Sequence, residues 1–165
     1  MQSLEKNNFS VSSLKVGIIL PTFNEYENIF ELLKQIELIF NNKLIIIIDD
    51  STNDNIKAKI SSSNTNIHYI KRQSRLGRGS AVLYGLKTLL KNKEINLFIE
   101  MDTDLSSHPN ELPNNIKYFL DNKLDLLVSS RYLRGSERIN WPLRRRLLSF
   151  LANKLAKFLL KVPVS

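Results

Sequence analysis

Two aspartates one residue apart, Asp102 and Asp104, follow directly on an apolar run in the stretch INLFIEMDTDLSSHP, Ile95 to Pro109. Leu97 to Ile99 reads as a buried strand. The acids fall at its carboxyl end, the edge at which an open α/β sheet binds its ligands. If the backbone stays extended, residues two apart face the same way with Cα atoms about 7 Å apart. Two carboxylates at that spacing repel by roughly 2 kcal/mol at an effective dielectric of about 20, and a divalent cation turns the repulsion into attraction. Hard oxygen donors on a partly open site suit Mg²⁺ or Mn²⁺, with the other positions left to water and substrate phosphates. A solvated acidic turn ahead of the helix after Pro109 fits the same residues, and Asp-x-Asp alone does not decide between the two.

The elements around this pair follow from the pattern of apolar residues. Lys15 to Leu20 is a strand that runs into Pro21-Thr22-Phe23-Asn24-Glu25, and proline, lacking the ladder donor, is expected to end it. Asn28 to Phe40 carries Ile29, Leu32, Leu33, Ile36 and Phe40 at helical spacing. Leu44 to Ile48 is apolar throughout and must be covered on both faces, as in parallel sheets. It stops in the acidic turn Asp49-Asp50-Ser51-Thr52-Asn53-Asp54. Strand, helix and strand make a βαβ unit. After a polar loop over Ser61 to Asn66 and a short strand over Ile67 to Ile70, Gly77-Arg78-Gly79-Ser80 opens a further helix. Its free amides and positive dipole end suit an anion, and an ordinary helix start with glycine as turn former fits equally. A dinucleotide fingerprint needs a glycine where Val82 stands and would follow the first strand, so an NAD site is set aside. A helix over Glu111 to Leu120 and a strand over Leu124 to Ser129 follow, then Arg131-Tyr132 and a loop with Trp141-Pro142. The sum is an α/β fold of four or five parallel strands alternating with helices.

At 165 residues the chain is about one domain, and residues 1–13 read as a polar tail without the apolar core of a signal peptide. It contains no cysteine, which excludes zinc-thiolate sites, and no apolar stretch long enough to span a bilayer. Lys and Arg outnumber Asp and Glu by 24 to 16, a net charge of +8 and a pI near 9.7. An anionic partner follows: nucleic acid, a phosphorylated substrate or an acidic membrane surface. Leu143 to Lys161 is amphipathic and basic, with Leu147, Leu148, Leu151, Leu155 and Leu159 in a stripe among Arg144, Arg145, Arg146, Lys154, Lys157 and Lys161. Such a helix either packs on a core or lies on an anionic surface. Nucleic acid is the weaker choice, because the strand-to-DTD arrangement would have no purpose.

PTFNE, IDDSTND, RLGRGSA, MDTDLSSHP, SSRY and WPLRRRLLSFLAN stand in one order with plausible gaps. From about Val16 onward the chain resembles the family 2 inverting glycosyltransferases of the GT-A fold, most closely the dolichyl- or polyprenyl-phosphate mannosyltransferase group. The resemblance implies a Rossmann-like nucleotide-sugar-binding fold over residues 14–165 and transfer of a hexose to a polyprenyl phosphate lipid. The donor implied is GDP-mannose, with a UDP-hexose as the alternative. Pro21, Phe23, Glu25 and Asp50 match residues that hold the nucleoside, and Asp102 and Asp104 match the pair that binds Mg²⁺ or Mn²⁺ at the diphosphate. Arg131 matches a phosphate contact, and Arg145 and Ser149 match residues that face the acceptor phosphate. Thr52 replaces the usual serine and keeps its hydroxyl, whereas Ser106 stands where relatives often place a glutamine near the metal. The implied setting is the cytoplasm, peripheral on the membrane's cytoplasmic face, with no nucleic acid partner. Relatives continue past VPVS with an Asp-x-x-Ser-Gly-Phe-Arg segment, so a domain lacking that segment is expected, with a non-catalytic nucleotide-binding fragment as the alternative.

This chemistry suits the residues apart from the resemblance. A phosphate monoester carries a charge of about −1.5 to −2 at neutral pH, so it is already a competent nucleophile and needs cations rather than a strong base. His68 and His108 are accordingly expected to be structural.

Overall fold

The computed structural model describes residues 14–52, 55–60, 66–130, 149–152, 154–155 and 158–159. The expected tail over 1–13, Arg131, Arg145 and the Trp141-Pro142 loop lie outside them. The chain forms two compact units, Met1–Lys123 and Leu124–Ser165.

The first unit is built on a parallel four-stranded sheet: β1 (Val16–Thr22), β2 (Lys43–Asp49), β3 (Ile67–Lys71) and β4 (Leu97–Glu100), in the order β3-β2-β1-β4. Helices α1 (Tyr26–Ile39), α2 (Asn55–Lys59), α3 (Arg78–Leu89) and α4 (Leu112–Asp121) connect or follow the strands, and a 3-10 turn at Pro109–Glu111 precedes α4. Alternation along the two central strands sends their apolar side chains to opposite faces. Val16, Ile18, Leu20, Ile45 and Ile47 meet Ile29, Leu32 and Ile36 of α1 and Ile116 of α4. Ile19, Ile46 and Ile48 meet Ala81 and Leu89 of α3. Ile45 to Ile48 are wholly buried, each contributing about 1.5 to 3 kcal/mol of apolar transfer. The five-residue run expected to need cover on both faces has it.

Close approach on the α3 face depends on glycine. A Cβ at Gly85 would lie 2.6 Å from Ile19 Cγ2, whereas one at Gly79, near the start of the same helix, would meet nothing within 4 Å. The end of α1 is held differently: buried Lys43 donates from Nζ to the Phe40 carbonyl at 2.6 Å and pairs with Glu37 at 3.1 Å, a cation at a helix C-terminus.

Two expectations need correction. Pro21 does not end β1, which pairs with β2 through Pro21↔Ile48 and Thr22↔Asp49. Successive residues of a strand turn their backbone groups to opposite neighbours: Ile19 O accepts from Met101 N and Thr22 O from Asp50 N. Pro21, two beyond Ile19, therefore has its missing N–H on the β4 side only, and the β2 ladder is untouched. The segment expected as a strand over Leu124 to Ser129 takes no place in the sheet. Leu126 and Val128 in it are exposed, so it lacks the two-sided cover that a parallel strand requires. In the second unit, described residues at 149–152, 154–155 and 158–159 are helical, with Leu151, Leu155, Phe158 and Leu159 exposed. Among the described residues no helix is long and apolar enough to cross a membrane.

The carboxyl end of β2 is fixed by a buried charge. Asp49 is wholly buried and accepts from Tyr69 Oη at 2.6 Å, Lys71 Nζ at 3.2 Å and the Ser51 amide at 2.7 Å. Burial pushes its pKa up, but the bonds from Ser51, Tyr69 and Lys71 outweigh that and leave it below the ordinary carboxylate value.

Two stability measurements test this packing. Gly85→Ala is expected to lower the urea unfolding free energy by about 1 to 3 kcal/mol, while Gly79→Ala leaves it unchanged or raises it by up to about 1 kcal/mol; equal effects would contradict the close approach. Asp49→Asn should destabilise by roughly 1 to 3 kcal/mol at neutral pH. Because the folded pKa is depressed, the wild-type advantage is complete above the unfolded value of about 3.9 and is lost as pH falls through the folded value. Melting curves from about pH 7 down to about pH 3 should show the gap between the two proteins closing only at the acid end.

Candidate active site

The cleft begins where β1 and β4 part. Their register ends at Ile19↔Glu100, just before Pro21 withholds its donor. The freed Pro21 carbonyl is met instead by Thr103 Oγ1 at 3.4 Å, which also lies 3.3 Å from Thr22 Oγ1. Thr103 is buried and turned toward β1, and its neighbours Asp102 and Asp104 both line the cleft. The chain then turns sharply through Leu105 at φ 57°, a conformation uncommon outside glycine. The Ser106 amide closes that turn on Asp104 Oδ1 at 2.9 Å. Ser106, which stands where relatives often place a glutamine near the metal, thus holds Asp104 through its backbone amide.

Pro21, Thr22, Phe23, Glu25, Asp50, Arg75, Gly77, Arg78, Ala81, Asp102, Thr103 and Asp104 enclose a space of about 270 Å³ at the carboxyl ends of β1, β2 and β4. An adjoining hollow of about 520 Å³ shares Phe23, Asp50 and Arg75 with it and continues along Lys71 to Ser74. Arg75 stacks on Phe23, its guanidinium carbon 4.0 Å from the ring centroid, within cation–π range. Asn24, at φ 59°, donates its amide to Ser51 Oγ at 2.8 Å, which ties the PTFNE turn to the DDS turn. Glu25 precedes α1 and accepts from Asn28 Nδ2 at 2.6 Å.

Cations from the β3–α3 segment balance the acids of this edge. Asp50 is buried and held by both arms of Arg72, the bidentate pairing that guanidinium and carboxylate geometry favours. Arg72 also donates to Ser80 Oγ at 2.9 Å and to the Gly77 carbonyl at 3.1 Å, so Asp50 is tied to the first turn of α3. Arg78, the first residue of α3, donates from Nε to Asp102 Oδ1 at 2.6 Å and from Nη2 to Glu100. Partial burial works against the Arg78 charge, but Asp102, Glu100 and Asp104 outweigh it and raise the guanidinium pKa. Burial, with Asp102 nearby, raises the Glu100 pKa although Arg78 opposes it.

Among the described residues no three metal-ligating side chains converge. Asp102 and Asp104 remain a fitting pair for a hard cation that takes its other ligands from water and phosphate. The carboxylates here already attract positive charge, since Arg78 is drawn to Asp102 and Glu100 against its own desolvation.

Six residues named from the sequence, Pro21, Phe23, Glu25, Asp50, Asp102 and Asp104, therefore face one cleft. Arg131 and Arg145 lie outside the described residues, and Ser149 is a helical residue of the second unit. Arg72, Arg75, Arg78 and Thr103 were not singled out in advance. The signal available was the run KRQSRLGR, four cations within eight residues leading into a helix beside acidic strand ends. His68 and His108 are exposed, and it is the His108 carbonyl that accepts from the Glu111 amide at 3.1 Å.

Residues 17–164 match the model of the family described as glycosyl transferase family 2. The chain is 35% identical over 140 residues, 82% of its length, to a dolichol-phosphate mannosyltransferase of Pyrococcus furiosus, covering 38% of that protein. It is 32% identical over 151 residues, 89% of its length, to a polyprenol monophosphomannose synthase of Mycolicibacterium smegmatis, covering 56% of it. An undecaprenyl-phosphate mannosyltransferase of Micrococcus luteus is 25% identical over 150 residues, with 60% of its length covered. The chain thus spans between about two fifths and three fifths of these relatives. With a parallel α/β sheet whose acidic strand ends line one cleft, and a family match across both units, this chain belongs to the family 2 glycosyl transferases.

Proposed function

We propose that the chain is the donor-binding part of an inverting transferase that moves a hexose, mannose from GDP-mannose, onto a polyprenyl phosphate at the cytoplasmic face of a membrane. The observation that carries this reading is the gathering of Pro21, Phe23, Glu25, Asp50, Asp102 and Asp104 on one cleft of a family 2 domain. The acceptor class is taken from the relatives, whose names specify dolichol, polyprenol and undecaprenyl phosphates.

In this reading Asp50, fixed by Arg72, accepts hydrogen bonds from the nucleoside, and Pro21, Phe23 and Glu25 shape its pocket. Phe23 and Arg75 offer a stacking surface beside the hollow that runs to Ser74. Asp102 and Asp104 would hold Mg²⁺ or Mn²⁺, which supplies charge neutralisation of a diphosphate and of the departing nucleoside diphosphate. The acceptor phosphate oxygen attacks the anomeric carbon while the bond to the donor diphosphate breaks, so one dianion must approach another. Arg131, Arg145 and Ser149 are assigned to receive that acceptor. Exposed Leu151, Leu155, Phe158 and Leu159 beside lysines in the same segment suit an anionic bilayer surface.

Calorimetric titration with GDP, UDP and GDP-mannose, with and without Mn²⁺, tests the donor site. GDP is expected to bind more tightly than UDP and only weakly without metal. Asp102→Asn and Asp104→Asn should each weaken Mn²⁺-dependent binding by at least about tenfold, since even outer-shell changes alter metal sites by about that factor. Failure of both GDP and UDP to bind in Mn²⁺ would remove the donor-site reading.

A further inference from the structure

Two arginines neutralise the acidic sheet edge, and they do so in different ways. Arg72 and Asp50 are buried together, with 8% and 6% of their side chains exposed, and Arg72 spends its remaining donors on Ser80 and Gly77. Arg78 is 54% exposed and its partner Asp102 44%. It donates to two carboxylates, Asp102 and Glu100. It also stands at the first position of α3, where a cation faces the positive end of the helix dipole. The acids hold it there, and the helix does not.

From this contrast we infer that Arg78 is an exchangeable counter-cation, one that a divalent ion must displace from Asp102, and hence a residue that sets how tightly the chain takes up metal. The inference rests on the assignment of Asp102 and Asp104 as metal carboxylates made above. A guanidinium 2.6 Å from Asp102 Oδ1 and a metal ion on the same carboxylate are like charges competing for one acceptor. Two half-exposed partners separate readily, and the long side chain can leave while its backbone stays in the helix. Once displaced, Arg78 remains on the wall of the cleft together with Arg75, where a donor diphosphate would supply the anion it has lost. Arg78 thereby keeps the carboxylates neutralised before ligand arrives and turns toward phosphate afterwards, which couples metal and nucleotide binding.

The test is Mn²⁺ affinity of the whole chain without nucleotide, read from the free-ion signal in electron paramagnetic resonance, with thermal melts confirming that each variant is folded. Arg78→Gln is expected to tighten Mn²⁺ binding by roughly fivefold, the value of one exposed ion pair. Arg78→Lys, which keeps the charge and loses the fork, should lie between it and wild type. Adding Asp102→Asn to Arg78→Gln should abolish the gain. Unchanged or weaker Mn²⁺ binding in Arg78→Gln overturns the inference, as does tightening that persists in the double variant. Tightening in Arg78→Gln with no binding of GDP or UDP would leave the counter-cation standing and remove the transferase reading. Nucleotide binding in Mn²⁺ with an unmoved Mn²⁺ affinity would do the reverse.

Discussion

A parallel sheet brings the carboxyl ends of all its strands to one edge, and in this chain that edge is crowded with negative charge. β2 ends in Asp49 and leads to Asp50, β4 ends in Glu100 and leads to Asp102 and Asp104, and the turn after β1 carries Glu25. Left alone, such carboxylates would repel one another by about 2 kcal/mol per pair at separations near 7 Å. The fold answers with one basic segment. Lys71, Arg72, Arg75 and Arg78 run from the end of β3 to the first residue of α3, and three of them pair with acids at the ends of β2 and β4 or just beyond them. The position of this segment is thus set by electrostatic need as well as by the apolar face of α3.

The backbone makes the opening that the charges surround. Pro21 is tolerated in a central strand because its missing donor faces a neighbour that has already turned away. That absence leaves β4 free to diverge, and Thr103 occupies the gap by bonding the orphaned carbonyl. A residue with an N–H at position 21 would offer β4 another ladder bond and a reason to continue alongside β1. Thr103 also explains why Asp102 and Asp104 reach the same cleft: the residue between them is the one committed inward.

Much of this was legible in the sequence because the signals were local. The isoleucine run of β2, the helical spacing of Ile29, Leu32 and Ile36, and the breaks at Asp49 and Asp102 each report their own element. Of the six residues on the cleft, Asp102 and Asp104 were nameable because the strand ends of a parallel sheet converge on its ligand-binding edge, whereas Pro21, Phe23, Glu25 and Asp50 were named by the family resemblance. Side-chain pairing across the edge was not legible. Nothing in the string says that Arg72 takes Asp50 while Arg78 takes Asp102, since both arginines belong to one short basic run, KRQSRLGR. The stretch Leu124 to Ser129 failed as a strand for a related reason: its four apolar residues satisfy the pattern of a strand, but only the surroundings decide whether they are covered, and Leu126 and Val128 are not.

Core and cleft are joined through α3. On its inner side Gly85 lets the helix settle against Ile19, closer than any side chain would allow. At its first turn Ser80 and Gly77 are bonded to Arg72, and Arg78 reaches to the start of the DTD turn. A helix is stiff over three turns, so a displacement imposed at Gly85 tilts or lifts the end that carries Arg78. Interiors packed at crystal-like density transmit such shifts rather than absorb them. The placement of the Arg78 backbone beside the DTD turn is therefore tied in part to a glycine seven residues away that touches neither arginine nor aspartate.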